Sequence, residues 1–515
     1  MYLNTNSNYK VYTPQKISRD MSAISLRYFF SNYKKFGFQD RKKALKNLKI
    51  VDLSCGSGNL LIDLIEFLIK LHKRYFGYYD YISTWIEGYD IDKEALSVLR
   101  CRIKKILDKY KLVNKKIKLY QTDSLLKNFD KKYHIVIGNP PYLGEKNNKE
   151  IFDKIKKTEF GKKYYEGRMD YLYFFIEKGI EILEKNGILT YITTNYWLQA
   201  DYAKKLRTCI KENCSFYYIN NINKSVFKDA IGQHNIIFSI TKNNIEKNIK
   251  IISNNQEFKL NNKYLFNYRN KIVIAKEKEL LKLNTIFNKK TYFLDDILYI
   301  NQGIISGYDK AFIFKEFNEK FKKYLRPFYK SPDINIYNID ERNKYWILYL
   351  DNKIKINNEL EEYLRPFYDK LIERREVKTK KINWYELQWA RDEEIFKKEK
   401  IVSRQRCKLN MFAYTKKDFY GSADIYYLTK KESSINLFYI LGYLNSSTFY
   451  KWFYYNGKRK GKNLELYATP LKETPIYYPN DDEKVKYIEK LVRKQIKSYS
   501  DEIQEKIDKF FEGEI

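Results

Sequence analysis

The chain has 515 residues, of which 44% are hydrophobic and nine are prolines, which gives room for two or three buried cores and excludes global disorder. Its 98 Lys plus Arg against 64 Asp plus Glu leave a formal charge of +34, so the natural partner is polyanionic. Five cysteines (Cys55, Cys101, Cys209, Cys214, Cys407) without a C-x-x-C pair, and three histidines, argue against a structural zinc site or a disulfide framework. A reducing cytoplasm fits, and no metal is expected. No apolar run approaches the roughly 20 residues of a membrane helix, and no secretion signal opens the chain. Some of the charge reflects A/T-rich codons, which also favour Asn, Ile and the 50 tyrosines. Both halves are nevertheless basic, as expected if a polyanion lies between two lobes.

In chain order, residues 49–54 form a short apolar strand ending in Asp52-Leu53-Ser54. The turn Cys55-Gly56-Ser57-Gly58 and a helical pattern (Leu60, Leu61, Leu64, Ile65, Leu68) follow. Ile69 to Trp85 reads as an extended helix and loop, and Trp85 to Tyr89 as a strand ending at Asp90. A helix is predicted over Lys93 to Tyr110, a strand over Ile117 to Gln121 ending at Thr122-Asp123, and a fully apolar strand over His134 to Gly138. That strand runs into Asn139-Pro140-Pro141-Tyr142. A helix over Asp170 to Leu183 and strands over Gly187 to Thr193 and His234 to Thr241 complete the alternation. The prediction is an α/β, doubly wound, Rossmann-like sheet over residues 1–245, with ligands at the carboxyl ends of its strands. Residues 246–290, rich in Asn and Lys, read as a connection. Residues 291–480, with a helix from Ile354 to Arg375, read as a separate α+β domain, and residues 481–515 as a closing helix.

The glycine turn allows close backbone approach to a ligand, but Leu60 and Leu61 stand where a dinucleotide fingerprint needs its third glycine. Asp90, at the end of the second strand, is placed to accept from ribose hydroxyls, and Asp123 from an adenine amino group. A ribose and adenine without a pyrophosphate satisfy this set. In Asn139-Pro140-Pro141-Tyr142, two prolines fix the backbone, so that the Asn139 side-chain oxygen and the Pro140 carbonyl can accept both hydrogens of a planar amino group. That favours the pyramidal amine needed for attack on a methyl sulfonium. Tyr142 supplies an aromatic face for a planar substrate.

With these motifs the chain resembles the S-adenosylmethionine-dependent DNA adenine-N6 methyltransferases in which a target-recognition domain follows the catalytic domain. The resemblance implies cofactor contacts from Tyr12-Thr13-Pro14, from Asp52, Ser54, Cys55, Gly56 and Gly58, from Asp90-Ile91 and Asp123-Ser124, and from Asn139. It also implies catalysis by Asn139, Pro140 and Tyr142, and stacking of a flipped adenine on Tyr142 and Phe175. In the second half Gln302 to Tyr308, Asp309 to Phe312, Lys400 to Arg404 and Leu441 to Ser446 are similar to recognition-domain motifs. Trp384 to Arg391 and Gly421 to Asp424 are similar to those of the solitary clostridial methyltransferases linked to sporulation, which implies an asymmetric, A-rich site in double-stranded DNA. Bifunctional relatives carry a nuclease first, and about ten residues before Tyr12 leave no room for one.

Candidate DNA contacts are Gln302, Tyr308, Lys310, Arg374, Arg375, Trp384, Gln388, Arg404 and Arg406, with Lys458, Arg459 and Lys460 for phosphates. No obligate protein partner is evident. The alternative is an enzyme that methylates protein glutamine or RNA guanine amino groups with the same Asn-Pro-Pro-Tyr loop. Such enzymes lack a large domain after the catalytic half.

Overall fold

A computed structural model describes residues 13–222, 226, 234–243, 247–285, 291–342, 344–461 and 463–514. The chain divides into two units, Met1–Glu277 and Lys278–Ile515.

The first unit opens with α1 (Gln15–Ser31) and α2 (Arg41–Lys46), followed by β1 (Ile50–Asp52) and α3 (Asn59–Phe76). Gly58 and Gly77, at φ +83° and +87°, start and stop α3, because only glycine enters that region without strain. The loop to β2 (Ile86–Asp90) buries Tyr81 and Trp85 completely, and the Trp85 indole donates to the Leu45 carbonyl. That packing explains the long separation of Asp52 and Asp90. α4 (Lys93–Lys109) is capped by Asp92, which accepts from Glu94 and Ala95, and leads to the edge strand β3 (Lys118–Gln121). β4 (Tyr133–Gly138) is buried at every position. Then come α5 (Lys149–Lys156), α6 (Glu159–Tyr164), α7 (Tyr171–Ile182) and β5 (Leu183–Thr194), and after them α8 (Lys204–Asn213), β6 (Cys214–Asn221) and β7 (Asn235–Lys242).

The sheet has nine strands, because β8 (Asn248–Ser253) and β9 (Gln256–Asn261) extend it in the order β3-β2-β1-β4-β5-β7-β6-β8-β9. β1 pairs in parallel with β2 and β4, while β7 runs antiparallel to β5 and β6. The order reverses between β1 and β4, the place where open sheets bind ligands at the strand carboxyl ends. This is a methyltransferase fold, a mixed α/β sheet. Residues 248–261 differ from the connection expected there. In β8 only Ile249 and Ile251 are buried among Asn and Lys, a period of two that the polar composition masks.

In the second unit, strands Leu298–Gln302, Ile425–Lys430, Lys400–Arg404 and Phe412–Thr415 form one antiparallel sheet in that order. A second sheet runs Ile313–Phe314, Tyr345–Leu348, Leu325–Tyr329 and Tyr420–Gly421. The helix predicted from Ile354 to Arg375 is broken into Asn358–Leu364, a 3-10 turn at Arg365–Phe367, and Tyr368–Ile372, since Pro366 has no N–H to continue it. The terminal segment is not a single closing helix. Asp482–Lys497 and Asp501–Glu514 bury Ile488, Val492, Ile507 and Phe511 in the same core as the wholly buried helix Leu437–Leu444. Gly442 permits this approach, because a Cβ there would stand 2.9 Å from Ile488.

Candidate cofactor and catalytic site

The carboxyl ends of β1, β2 and β4 converge on one cradle. Asp52, only 2% exposed, accepts the Ser54 N–H at 2.9 Å, and burial, with the nearby Asp90 charge adding to it, pushes its carboxyl up to about 7. Asp90 accepts the Gly56 N–H at 2.7 Å and the Asp92 N–H at 2.9 Å, one on each oxygen, so both oxygens retain a lone pair for further donors. Gly56 sits at φ +50°, and a Cβ there would meet nothing within 4 Å, so open space faces the turn. At Gly138 a Cβ would stand 3.2 Å from Asp52 Oδ1, which shows how closely the ends of β1 and β4 approach. Burial also raises the carboxyls of Asp90 and Asp123. Burial thus disfavours the ionised form of all three carboxyls, and a positive charge placed beside them would favour it again. Ile91, 50% exposed, puts an apolar face beside Asp90.

The side chains of two expected cofactor contacts are engaged within the fold. The Ser124 hydroxyl donates to the Leu53 carbonyl at 2.7 Å, tying the turn after β3 to the turn after β1. Cys55 is buried, with its sulfur 3.0 Å from where a Gly88 Cβ would sit. Tyr12 lies outside the described residues. Pro14 caps α1, and Thr13 is buried beside it.

The loop from Asn139 to Tyr142 is pinned from behind. Asp170 Oδ1 accepts the Leu143 N–H at 3.1 Å and the Leu172 N–H at 3.0 Å, fastening the loop to the first turn of α7. The Tyr171 N–H donates to the Leu143 carbonyl at 2.9 Å. Asn139 donates through Nδ2 to Thr13 Oγ1 at 3.2 Å, and its Oδ1 accepts the Tyr142 hydroxyl at 2.8 Å. The Pro140 carbonyl takes no hydrogen bond from the described residues. The Tyr142 ring packs against the sheet core, and its hydroxyl also lies 3.2 Å from the Ile192 carbonyl. Phe175, expected as a second stacking ring, is 5% exposed and packs edge-on against Tyr171 at 5.4 Å, as a core residue of α7. The Tyr171 hydroxyl at the start of this helix is pushed up by burial and, after it, by the charge of Asp123.

Residues 59–227 match the family model of the Eco57I restriction-modification methylase, and residues 326–476 that of the TaqI-like C-terminal specificity domain. The chain carries a restriction-modification methylase core and a TaqI-like specificity domain. Type II methyltransferase M.HindII of Haemophilus influenzae is 24% identical over 84% of this chain and 85% of its own length. M.HincII, from the same species, is 24% identical over 84% of each. The solved structure of the type IIL restriction-modification enzyme MmeI in complex with DNA aligns with 96% of this chain and 73% of its own, with a TM-score of 0.64 and 13% identity, a likeness of fold.

The methylase's cofactor is S-adenosylmethionine, and the cradle fits it. Asp90, with a lone pair left on each oxygen, could accept from its ribose hydroxyls, and the half-exposed Ile91 would offer an apolar face beside them. Among the described residues no cluster could hold a metal, and no helix is long and apolar enough to cross a membrane.

In the specificity domain, most side chains expected to read bases are committed to the fold. The Arg374 guanidinium is 8% exposed and donates to the carbonyls of Leu371, Ser306, Glu386 and Trp384, and burial lowers its pKa to about 10. Arg404 donates to the carbonyls of Ile334 and Pro332. The Gln302 amide donates to the Ala423 carbonyl at 2.7 Å and accepts from Arg391, while Gln388 donates to Glu376. Trp384 packs edge-on against Tyr368 and Tyr308 against Phe367. Arg406 is paired with Glu465 and the Tyr467 hydroxyl. Lys310 and Arg375 are exposed. Lys458, Arg459 and Lys460 stand on an exposed hairpin, where Arg459 lies 3.8 Å over the Tyr454 ring and Lys458 is 3.6 Å from Glu465. Trp389, inside the Trp384 to Arg391 motif, is 42% exposed, with the Arg391 guanidinium 5.8 Å from its ring.

Proposed function

We propose that the chain is a site-specific DNA adenine-N6 methyltransferase whose first unit performs the transfer and whose second supplies the address. The carrying observation is the pair of acceptors at the end of β4, Asn139 Oδ1 and the Pro140 carbonyl, next to the carboxylate cradle. An exocyclic amine is a poor nucleophile because its lone pair is delocalised into the ring. Two acceptors that draw its hydrogens out of the ring plane restore that lone pair as attack begins, so the interaction matures in the transition state. Bound in the cradle, S-adenosylmethionine supplies an electrophilic methyl group. Asn139 Oδ1, which keeps a second lone pair beside the one taken by the Tyr142 hydroxyl, accepts one amine hydrogen, and the Pro140 carbonyl accepts the other. Tyr142 supplies a face for the ring. Neither acceptor can reach the amine of a paired and stacked base, so the adenine must leave the duplex.

DNA as substrate is supported by the basic charge of +34, by the specificity domain, and by relatives that are type II methyltransferases. The specificity domain also favours this reading over methylation of protein glutamine or RNA guanine. Resemblance to the solitary clostridial enzymes supports an asymmetric, A-rich site. The test is methyl transfer from labelled S-adenosylmethionine to duplex DNA. Asn139→Ala is expected to lose transfer while cofactor affinity, read by calorimetry, stays near that of the wild type. Substantial single-turnover transfer by this variant contradicts the assignment.

A further inference from the structure

The hydrogen bonds around Asn139 continue well beyond the catalytic loop. Its Nδ2 donates to Thr13 Oγ1 at 3.2 Å. The Thr13 carbonyl in turn accepts from Asn59 Nδ2 at 3.1 Å, and Asn59 Oδ1 accepts from Arg102 at 2.6 Å. The same guanidinium nitrogen of Arg102 donates to the Ser57 carbonyl, inside the glycine turn, at 2.7 Å. The backbone of Asn59 is held too, since its carbonyl accepts the Ser18 hydroxyl of α1 at 2.9 Å. One chain of side chains thus runs from α4, through the turn that cradles the cofactor, to the catalytic amide.

This chain bears on a specific problem of an asparagine catalyst. The two ends of a carboxamide have nearly the same shape, and only the oxygen can accept an amine hydrogen. If the group turned over, Asn139 would present donors to the substrate amine and repel it. Tyr142 donates to Oδ1, which leaves Nδ2 for Thr13, and Thr13 is 5% exposed and fixed at its carbonyl by Asn59. We propose that Thr13 and Asn59 are positioning residues that hold the Asn139 carboxamide with its oxygen toward the substrate, Asn59 acting through Thr13. Arg102 joins this arrangement to the cofactor turn, so the cradle and the acceptor are set by one network.

The proposal rests on Asn139 being the amine acceptor, and the variants separate the two claims. Cofactor affinity and single-turnover methylation of duplex DNA at saturating S-adenosylmethionine are measured on the full chain. Thr13→Val keeps the shape and removes the hydroxyl. It is expected to slow transfer about tenfold, the effect of one buried hydrogen bond, with cofactor affinity within about threefold. Thr13→Ser restores the hydroxyl and is expected to restore the rate. Asn59→Asp keeps the Arg102 bond but loses the donor to Thr13, and a smaller slowing of the same kind is expected, with an unchanged melting temperature as the check on folding. Wild-type transfer by Thr13→Val overturns the proposal, as does an equal loss in Thr13→Val and Thr13→Ser, or a loss explained entirely by weaker cofactor binding. If Asn139→Ala itself methylates at the wild-type rate, the reading of Asn139 has failed and this inference with it. If Asn139→Ala is inactive while Thr13→Val is normal, only the positioning role has failed.

Discussion

In the first unit the motif residues meet at one place, whereas in the second several of the expected base readers bond to their own fold. Asp52, Asp90 and Asn139 come from three strands and share a cradle, because a sheet whose order reverses must bring those strand ends together. Arg374, Arg404 and Gln302 are equally plausible base readers in the sequence, yet the two arginines donate to backbone carbonyls of their own unit and Gln302 bonds to the Ala423 carbonyl and to Arg391. A motif can therefore mark chemistry in one region and architecture in another. What separates them is whether the polar atoms are left with lone pairs to offer or are already saturated.

The largest expected effect within this contrast is on Arg374. Arg374→Ala leaves its acceptor carbonyls unpaired in a buried setting, where charged hydrogen bonds are worth about 1.5–3 kcal/mol each, so unfolding at much lower denaturant is expected. Exposed Arg375→Ala should leave stability unchanged. A folded Arg374→Ala protein with altered base preference and normal stability would move Arg374 to the readout surface. Next comes Asp90→Ala, which should weaken S-adenosylmethionine binding by about 1.5–3 kcal/mol for each ribose hydrogen bond removed, as read by calorimetry. Unchanged affinity would remove Asp90 from the cradle.

Asp52 makes a prediction in pH. Below its ordinary value of 3.8 the carboxyl is protonated folded and unfolded, and burial costs nothing. Between there and about 7 the unfolded chain ionises while the folded protein keeps the proton, so stability falls as pH rises, and the loss is complete above about 7. Asp52→Asn removes this penalty. Without cofactor, the variant's advantage in thermal unfolding should be absent near pH 4 and greatest near pH 8, each pKa unit being worth about 1.4 kcal/mol. An advantage independent of pH would mean that Asp52 is ionised in the free protein. The smallest effect belongs to the hairpin: neutralising Lys458, Arg459 and Lys460 should weaken all DNA alike and flatten the log–log salt dependence by about 0.9 for each phosphate that no longer meets a cation. A changed recognition sequence would contradict a phosphate role.

β1, β2 and β4 were legible because each is a local apolar run next to a residue whose chemistry is specific, Asp52, Asp90 or Asn139. β6, β8 and β9 were not, since their buried residues alternate with Asn, Lys and Tyr and give no apolar run. The inward turn of Arg374 or Ser124 depends on partners distant in sequence, which no local pattern records. Phe175 shows the same limit within one helix: neighbouring aromatics left its facing open, and packing placed it in the core.

The central claim is that the Asn139 and Pro140 acceptors present an adenine amine to the methyl donor. The most direct test is the nucleoside composition of DNA from a methylation-free host expressing the full chain. N6-methyladenine confined to one sequence context with the wild type, and absent with Asn139→Ala, is the predicted result. A methylated carbon of cytosine, or N6-methyladenine undiminished in Asn139→Ala, would contradict it.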